Sequence, residues 1–493
     1  MSISIYIATK PDWEELIVGL LKDQYSIDKC RGKQIYRDNI KPHFDALKDD
    51  VCFLAETGYV DAFYRDSYYY YYSSKFKRYE RDCIKISLFR KDIRDEDFFD
   101  PSQYEKLQTK YLGFYVLRPT FPMLMGRSVI SPLALKDSSI KICTCVFSEM
   151  ACGLEFKVDG FPHSSQDTES ISCAETALWA IMEYFGHKYS YYKKVLPSEI
   201  IEYLKEIAFE RQIPSRGLIV DQMSFVLKKC GLAPVIYSRE DFECEFDSLL
   251  ACYVESAIPL IVAFENDGSS VEHALIVVGR ESGCEWKVDN IYEANGFTII
   301  DYDSLPKKFV FVDDNKPVYQ KAYLSEPAGY YADSEWKSCK INYFIVPFYQ
   351  EVYVEARYVK NYIINFLFSD LLPISKGSEV IVRTFLVSSE SYKNELMCGN
   401  GIDGDLKYYI VEKQMPKFIW VGELSTKVLI KEKKANGVII LDATEANNYN
   451  NLLIVVVYED TLIKFDEHSG FFQQLILHCD PFPVYDKSLK SFT

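Results

Sequence analysis

The sequence predicts an α+β protein in which a central block of helices followed by strands lies between a mixed α/β segment and a β-rich one. Three observations carry that expectation. Between residues 173 and 229 apolar side chains recur at helical spacing, whereas from 259 to 347 they fall into short β-branched and aromatic runs. Helices gathered ahead of strands argue for α+β layers over alternating βαβ units. Aromatic residues make up 15% of the chain, with 38 Tyr and 32 Phe, which favours strands and large buried faces. Finally, 493 residues exceed what one hydrophobic core normally serves, so several domains are expected, drawn here as 1–155, 156–348 and 349–493.

The elements follow in order. Residues 11–21 read as a helix, with Asp12 as cap and Trp13, Leu16, Ile17, Leu20 and Leu21 on one face. The five tyrosines at 68–72 read as the rim of a helix or as a two-faced strand, since a net charge of −16 disfavours a stacking platform for bases. Residues 83–89 alternate like a strand, and 111–119 form a second one stopped by Pro119. Arg118 and Arg127 read as structural ion pairs in preference to an anion site. Helices are expected at 173–185, 197–207 and 220–229, the last stopped by Gly231 after a basic final turn. Strands are expected at 259–264, 273–279, 308–312 and 341–347. Beyond 350 strands are expected at 380–387, 408–411, 418–421 and 452–458, separated by turn residues such as Asn400 and Asp403.

Composition narrows function before any motif is weighed. Hydrophobic residues at 48% with 26% charged residues describe an ordinary globular chain. The acidic balance argues against a nucleic-acid partner, because a groove for phosphates needs the opposite sign. Fourteen cysteines are scattered singly apart from Cys143 and Cys145, no CxxC pair occurs, and the six histidines lie far apart. Neither a metal nor another cofactor is therefore expected. Residues 1–10 lack the basic and apolar segments of a secretion signal, and the run at 452–458 is too short to span a bilayer. The expectation is a cytoplasmic protein with reduced thiols, in a bacterial setting and without a membrane partner.

One constellation reads as chemistry. Ser172 and Glu175 have the spacing of a capping box, which makes Cys173 the first residue of an apolar helix with Ala174, Ala177, Leu178, Ile181, Met182 and Phe185 on its buried stripe. There, unpaired main-chain N–H groups and the positive end of the helix dipole stabilise a thiolate. Most other cysteines read as small buried hydrophobes. Gln166, seven positions upstream, offers a primary amide that can donate to a developing oxyanion beside the Cys173 N–H. His273 opens an apolar strand, and the strand at 308–312 runs into Asp313, Asp314 and Asn315. Either carboxylate can accept from the imidazole and fix its tautomer.

In that order, residues 166–315 resemble the papain-like cysteine peptidases, above all the branch of double-glycine leader peptidases of bacteriocin exporters. The stretch 214–223, where Gly217 and Leu218 precede a helix, is similar to the same branch. The resemblance implies a papain-like domain over 156–348, with helices packed on an antiparallel sheet. It also implies Cys173 as nucleophile, His273 as general base and acid, Asp313 or Asp314 as the orienting carboxylate, and Gln166 as oxyanion donor. The implied reaction is thiolate attack on an amide or isopeptide carbonyl of a peptide or protein, then hydrolysis or transfer of the acyl group. With no exporter span in sight, a stand-alone peptidase is expected. A transglutaminase-like acyl transferase uses the same residue types but follows its histidine with an aromatic, where this chain has Ala274, Leu275 and Ile276. The reading from another class is a degenerate papain-like scaffold that binds protein without cutting it.

Overall fold

The structure is a computed structural model that describes residues 5–122, 124–266, 268–286, 291–294, 296–399, 401–402, 404–446, 452–466 and 471–492. Helix and strand take near-equal shares, and three large, mainly antiparallel sheets organise the described residues, which makes the class α+β. The first sheet runs Ile5–Thr9, Val51–Tyr59, Cys83–Arg90, Tyr111–Leu117, Ser128–Ile130, Leu154–His163, Cys145–Ala151. Cys83–Arg90 and Tyr111–Leu117 are buried almost end to end, as strands enclosed between layers are. The first long helix is Trp13–Tyr25, preceded by a 3₁₀ turn, Lys10–Asp12, and its buried face is Trp13, Ile17, Val18, Leu20 and Leu21. The tyrosine run closes the helix Ala62–Tyr70 and packs at its rim: Tyr72 is buried, and the Tyr71 hydroxyl donates to Glu169 at 2.9 Å. Arg127 pairs with Glu149 at 2.5 Å and Glu183 at 3.3 Å, while buried Arg118 donates to the Ser165 carbonyl at 2.5 Å. Both guanidinium groups hold the protein's own elements together.

The second sheet runs Gln320–Ala322, Phe309–Val312, Glu272–Glu281, Leu260–Glu265, Lys340–Phe348, Ala233–Ser238, antiparallel throughout. The short strand Ile140–Ile142 also pairs with the far end of Glu272–Glu281 and in turn with Lys490–Ser491. That close approach requires a glycine: a Cβ on Gly279 would lie 2.1 Å from the Lys141 carbonyl oxygen. The helix Cys173–Lys188 lies between Leu154–His163 of the first sheet and Glu272–Glu281 of the second, with every residue from Ala174 to Phe185 buried. A helix buried on every side belongs to the core, and its two buried carboxylates, Glu175 and Glu183, are paired. Trp179 meets Phe63 at 4.3 Å and Tyr184 stacks on Phe161 at 5.3 Å, so the cysteine end is set by packing on both sides.

The third sheet runs Ile291–Ala294, Phe297–Asp301, Glu379–Ser388, Phe418–Ser425, Gly437–Asp442, Leu453–Tyr458, Thr461–Asp466, Phe471–Ile476, with Phe297–Asp301 and Glu379–Ser388 parallel. Hydrogen bonding therefore runs across position 349, and position 155 lies within the strand Leu154–His163. A buried ion network joins the second and third layers. Glu255 accepts from Arg280 and from Arg383, and Arg383 also donates to Glu423 at 3.0 Å.

Three expectations are corrected. Residues 408–411 are not a strand but part of the helix Gly404–Glu412, because Leu406 and Ile410 are buried one turn apart and that period overrides the strand propensity of Tyr408, Tyr409 and Val411. The stretch from 349 carries more strand than helix but is not mostly strands alone, since Ala356–Leu367, Ser389–Cys398 and Lys427–Lys431 are helices too. The helix expected at 197–207 stops at Leu204, where the chain turns. The turn residues Asn400 and Asp403 lie outside the described residues. Among the described residues no helix is long and apolar enough to cross a membrane.

Candidate active site

The loop entering the site helix is built by Asp167. Its Oδ1 accepts from the main-chain N–H groups of Glu169, Ser170 and Ile171 at 2.9, 2.7 and 2.9 Å, and its Oδ2 accepts from the Ser170 hydroxyl. The chain then reaches Ser172, whose N–H donates to Glu175 Oε2 at 3.0 Å, the reciprocal arm of a capping box. Buried Glu175 also accepts from the Ser172 hydroxyl and, at 2.6 Å, from the Ser215 hydroxyl. One carboxylate thus ties the helix start to the loop carrying Gly217 and Leu218. Cys173 is presented half-buried at the first helical position.

The histidine strand meets this helix end. The Ala274 N–H donates to Cys173 Sγ at 3.4 Å, which sets the sulfur against the start of the strand. His273 Nε2 lies 3.0 Å from Asp313 Oδ1 and 3.4 Å from Asp314 Oδ1. Nδ1 is then the nitrogen left for the sulfur, and a Cys173 hydrogen bond is among the influences that keep a proton on the ring. Of the two aspartates, Asp313 is the one that hydrogen-bonds the ring. Its Oδ1 also accepts from the Asn315 N–H at 2.9 Å, and its Oδ2 accepts from the Tyr330 and Tyr331 hydroxyls at 2.9 and 2.8 Å.

Charge follows from these contacts. Burial penalises the Asp313 carboxylate, but the His273 charge and the donors around it outweigh that and hold it down at about 2. Burial likewise penalises a charged His273 ring; Asp313 above all, with Cys173 and Asp314, still raises it well above the ordinary imidazole value. The two therefore form an ion pair at neutral pH. Asp314 behaves oppositely. Burial, joined by the Asp313 charge, pushes it up to about 7 against the pull of His273, the Gln166 N–H and Arg118. Among the described residues, the one set of potential metal donors within 4.8 Å of one another is His273, Asp313 and Asp314, and its tightest pair is already closed by a hydrogen bond.

A cleft of about 490 Å³ opens on Cys173 and His273, walled by Arg216 to Val220 on one side and by Phe264, Glu265, Glu272 and Tyr343 on the other. A larger cavity of about 640 Å³ beside Phe242 and Tyr358 has no nucleophile and base together, so chemistry and not size singles out the cleft. Gln166 is not among the cleft's lining residues; its Nε2 donates to Asn315 Oδ1 at 3.2 Å. The Cys173 N–H, in the first helical turn, is one of the main-chain donors that a helix leaves without an intrahelical partner.

Several neighbours were not read from the sequence. Trp336 stands edge-on to His273 with ring centroids 5.3 Å apart and stacks on Tyr331 at 4.7 Å. His163 Nε2 reaches the Asp313 carbonyl at 3.1 Å. The adjacent Tyr330 and Tyr331 are the nearest thing to a signal, since buried tyrosines need partners for their hydroxyls. Residues 399–404 have GxGxxG spacing, yet the chain enters them from the helix Ser389–Cys398 and not from a strand, so the strand–turn–helix context of a dinucleotide site is missing. No known protein-family model matches the chain, and no curated protein matches it.

Proposed function

We propose that the chain is a papain-like thiol enzyme that cleaves or transfers an amide or isopeptide bond of a peptide or protein, with Cys173 as nucleophile, His273 as proton carrier and Asp313 as the carboxylate that orients it. The observation that carries this reading is the buried His273 ring, hydrogen-bonded to the saturated Asp313 carboxylate, on a strand whose next N–H donates to Cys173 Sγ, with both side chains lining one open cleft. In the first half-reaction the Cys173 sulfur bonds to the carbonyl carbon, and the oxyanion faces the Cys173 N–H. The amine then leaves with the proton from His273 Nδ1. In the second half-reaction His273, now neutral, takes a proton from water or an acceptor amine, whose attack breaks the sulfur–carbon bond. Asp313 keeps the Nε2–H tautomer and stabilises the imidazolium throughout.

A second reading, a peptide-binding scaffold without catalysis, draws on Gln166, whose amide donates to Asn315 and does not line the cleft. Iodoacetamide labelling with peptide mapping separates the two. Near pH 6, Cys173 is expected to alkylate at least about tenfold faster than exposed Cys30, Cys244 and Cys398, and to lose that advantage in His273→Ala. Equal rates for all four cysteines in the unsubstituted protein would sink the catalytic reading.

A further inference from the structure

The candidate catalytic pair has a back as well as a front. Behind it, a void of about 10 Å³ is lined by His163, Ser164, Cys173, Thr176 and Asp314 among others. A second cavity of about 140 Å³, lined by His43, Met125, Ser165, Asp314 and Asn315, opens toward Asp38 and Lys316. Asp314 borders both. Four polar atoms gather here short of partners: both Asp314 carboxyl oxygens, His43 Nδ1 and His163 Nδ1 make no well-formed hydrogen bond among the described residues, although the Gln166 N–H and His273 stand near Asp314. Their side chains are more than nine-tenths buried, with Asp314 6% exposed, His43 5% and His163 1%. Unpartnered groups so deep in a protein are met by ordered water. Size settles the occupant, because a water takes roughly 30 Å³ and ligand sites run to about 300 Å³ or more. The rear cavity has room for a few waters, and the smaller void for one at most.

Asp314 also stands 3.4 Å from His273 Nε2, with a carboxyl oxygen inside 4.8 Å of one on Asp313. Two carboxylates this close do not both ionise freely, and here the one with the hydrogen bonds is Asp313. Building on the catalytic reading, we infer that Asp314 is a second positioning residue of the site, a carboxyl that exchanges its proton with water in the rear cavity and so switches a second negative charge on or off beside His273. The step is a simple ionisation: the Asp314 O–H bond breaks and the proton passes to cavity water. The carboxylate left behind holds His273 more firmly as imidazolium beside the Cys173 sulfur.

The titratable and charged groups facing Asp314 are His273, Asp313, Cys173, Arg118, His163, His43, Lys316 and, at the mouth, Asp38. Burial first of all keeps the two rear histidines neutral, lowering His163 and pushing His43 down to about 3. Asp314, pushed up to about 7, is the member of that rear set that changes charge near neutrality.

The test is the rate of Cys173 alkylation by iodoacetamide from about pH 5 to about pH 9 in the unsubstituted protein and in Asp314→Asn. The unsubstituted protein should show an added rise of about threefold centred near pH 7, and Asp314→Asn should lack that rise while Cys173 still outpaces the exposed cysteines. An aspartate with only a structural role would change the melting temperature and leave the profile in place, which overturns the inference. A profile of the unsubstituted protein without the added rise overturns it too, whether or not the variant folds. Failure of the underlying catalytic reading looks different: Cys173 would then not outpace Cys30, Cys244 and Cys398 at any pH.

Discussion

Replacing Asp313 by Asn keeps the shape of the side chain and removes its charge, which makes it the cleanest perturbation of the site. In the folded chain this carboxyl is brought from 3.8 down to about 2. At roughly 1.4 kcal/mol per unit, the ionised form contributes on the order of 2–3 kcal/mol to folding. A depressed acid contributes fully above its unfolded value near 4 and loses that contribution as pH falls through about 2, so the whole amount is at stake at neutral pH. Asp314 limits the damage. With the opposing charge gone, its Oδ1, already 3.4 Å from His273 Nε2, is free to ionise and take the ring. The single variant should therefore lose about 1–2 kcal/mol, and Asp313→Asn with Asp314→Asn should lose more. His273 adds a pH signature. Its raised value gives stability that is complete below about pH 6.5 and is lost as pH rises through the higher folded value. The deficit of the double variant should accordingly be larger near pH 6 than near pH 9. Urea unfolding followed by tryptophan fluorescence at both pH values measures it. A deficit that ignores pH, or a double variant no worse than the single one, would refute this account of the ion pair.

Three further perturbations separate the parts of the site. Glu175→Gln weakens the link from Ser172 and Ser215 to the helix start and should cost about 1–2 kcal/mol while slowing Cys173 alkylation; unchanged urea midpoint and unchanged rate together would show that link to be idle. Trp336→Ala removes the edge contact to His273 and the stack on Tyr331, worth about 0.5–1.5 kcal/mol each. Water then reaches the ring, so the alkaline limb of the Cys173 alkylation profile should move to lower pH, and an unmoved limb counts against the shielding role. Glu255→Gln leaves Arg280 and Arg383 buried beside a neutral side chain and should destabilise the chain by about 3–5 kcal/mol, with the alkylation rate of the folded protein unchanged. A matching fall in rate would mean that the interlayer network also shapes the site.

What was legible in the sequence is what neighbouring residues decide. The helix Cys173–Lys188 and the strand Glu272–Glu281 were read within two or three residues, because an all-apolar face with a cap, or an unbroken β-branched run, leaves few alternatives. The helix Gly404–Glu412 was misread for the opposite reason. Tyr408, Tyr409, Ile410 and Val411 favour strands locally, and only the burial of Leu406 and Ile410 against the third layer selects the helix. That Phe297–Asp301 joins Glu379–Ser388 is likewise a pairing across some eighty residues for which no local pattern exists.

The candidate site divides along the same line. Cys173 could be singled out because Ser172 and Glu175, within three positions, make its helix start, and the same residues cap it in the fold. The choice between Asp313 and Asp314 could not be made from the sequence, because adjacent residues in a turn are distinguished only by what meets them. Asp313 faces donors from three places: His273 on a strand forty residues earlier, Asn315 in its own turn, and the pair Tyr330 and Tyr331 beyond. Those donors make ionisation favourable in the interior, whereas at Asp314 burial and the Asp313 charge outweigh the weaker pull of His273, the Gln166 N–H and Arg118, although the two carboxyls are one residue apart and both buried. Gln166 shows the same dependence: a glutamine upstream of a cysteine suggests an oxyanion donor, but where its amide points is decided by Asn315, a partner 149 positions away. A buried charge is selected by the groups that can satisfy it, and these are assembled by the fold as a whole, so the candidate nucleophile of such a site is readable from its neighbours while the carboxylate that would support it is not.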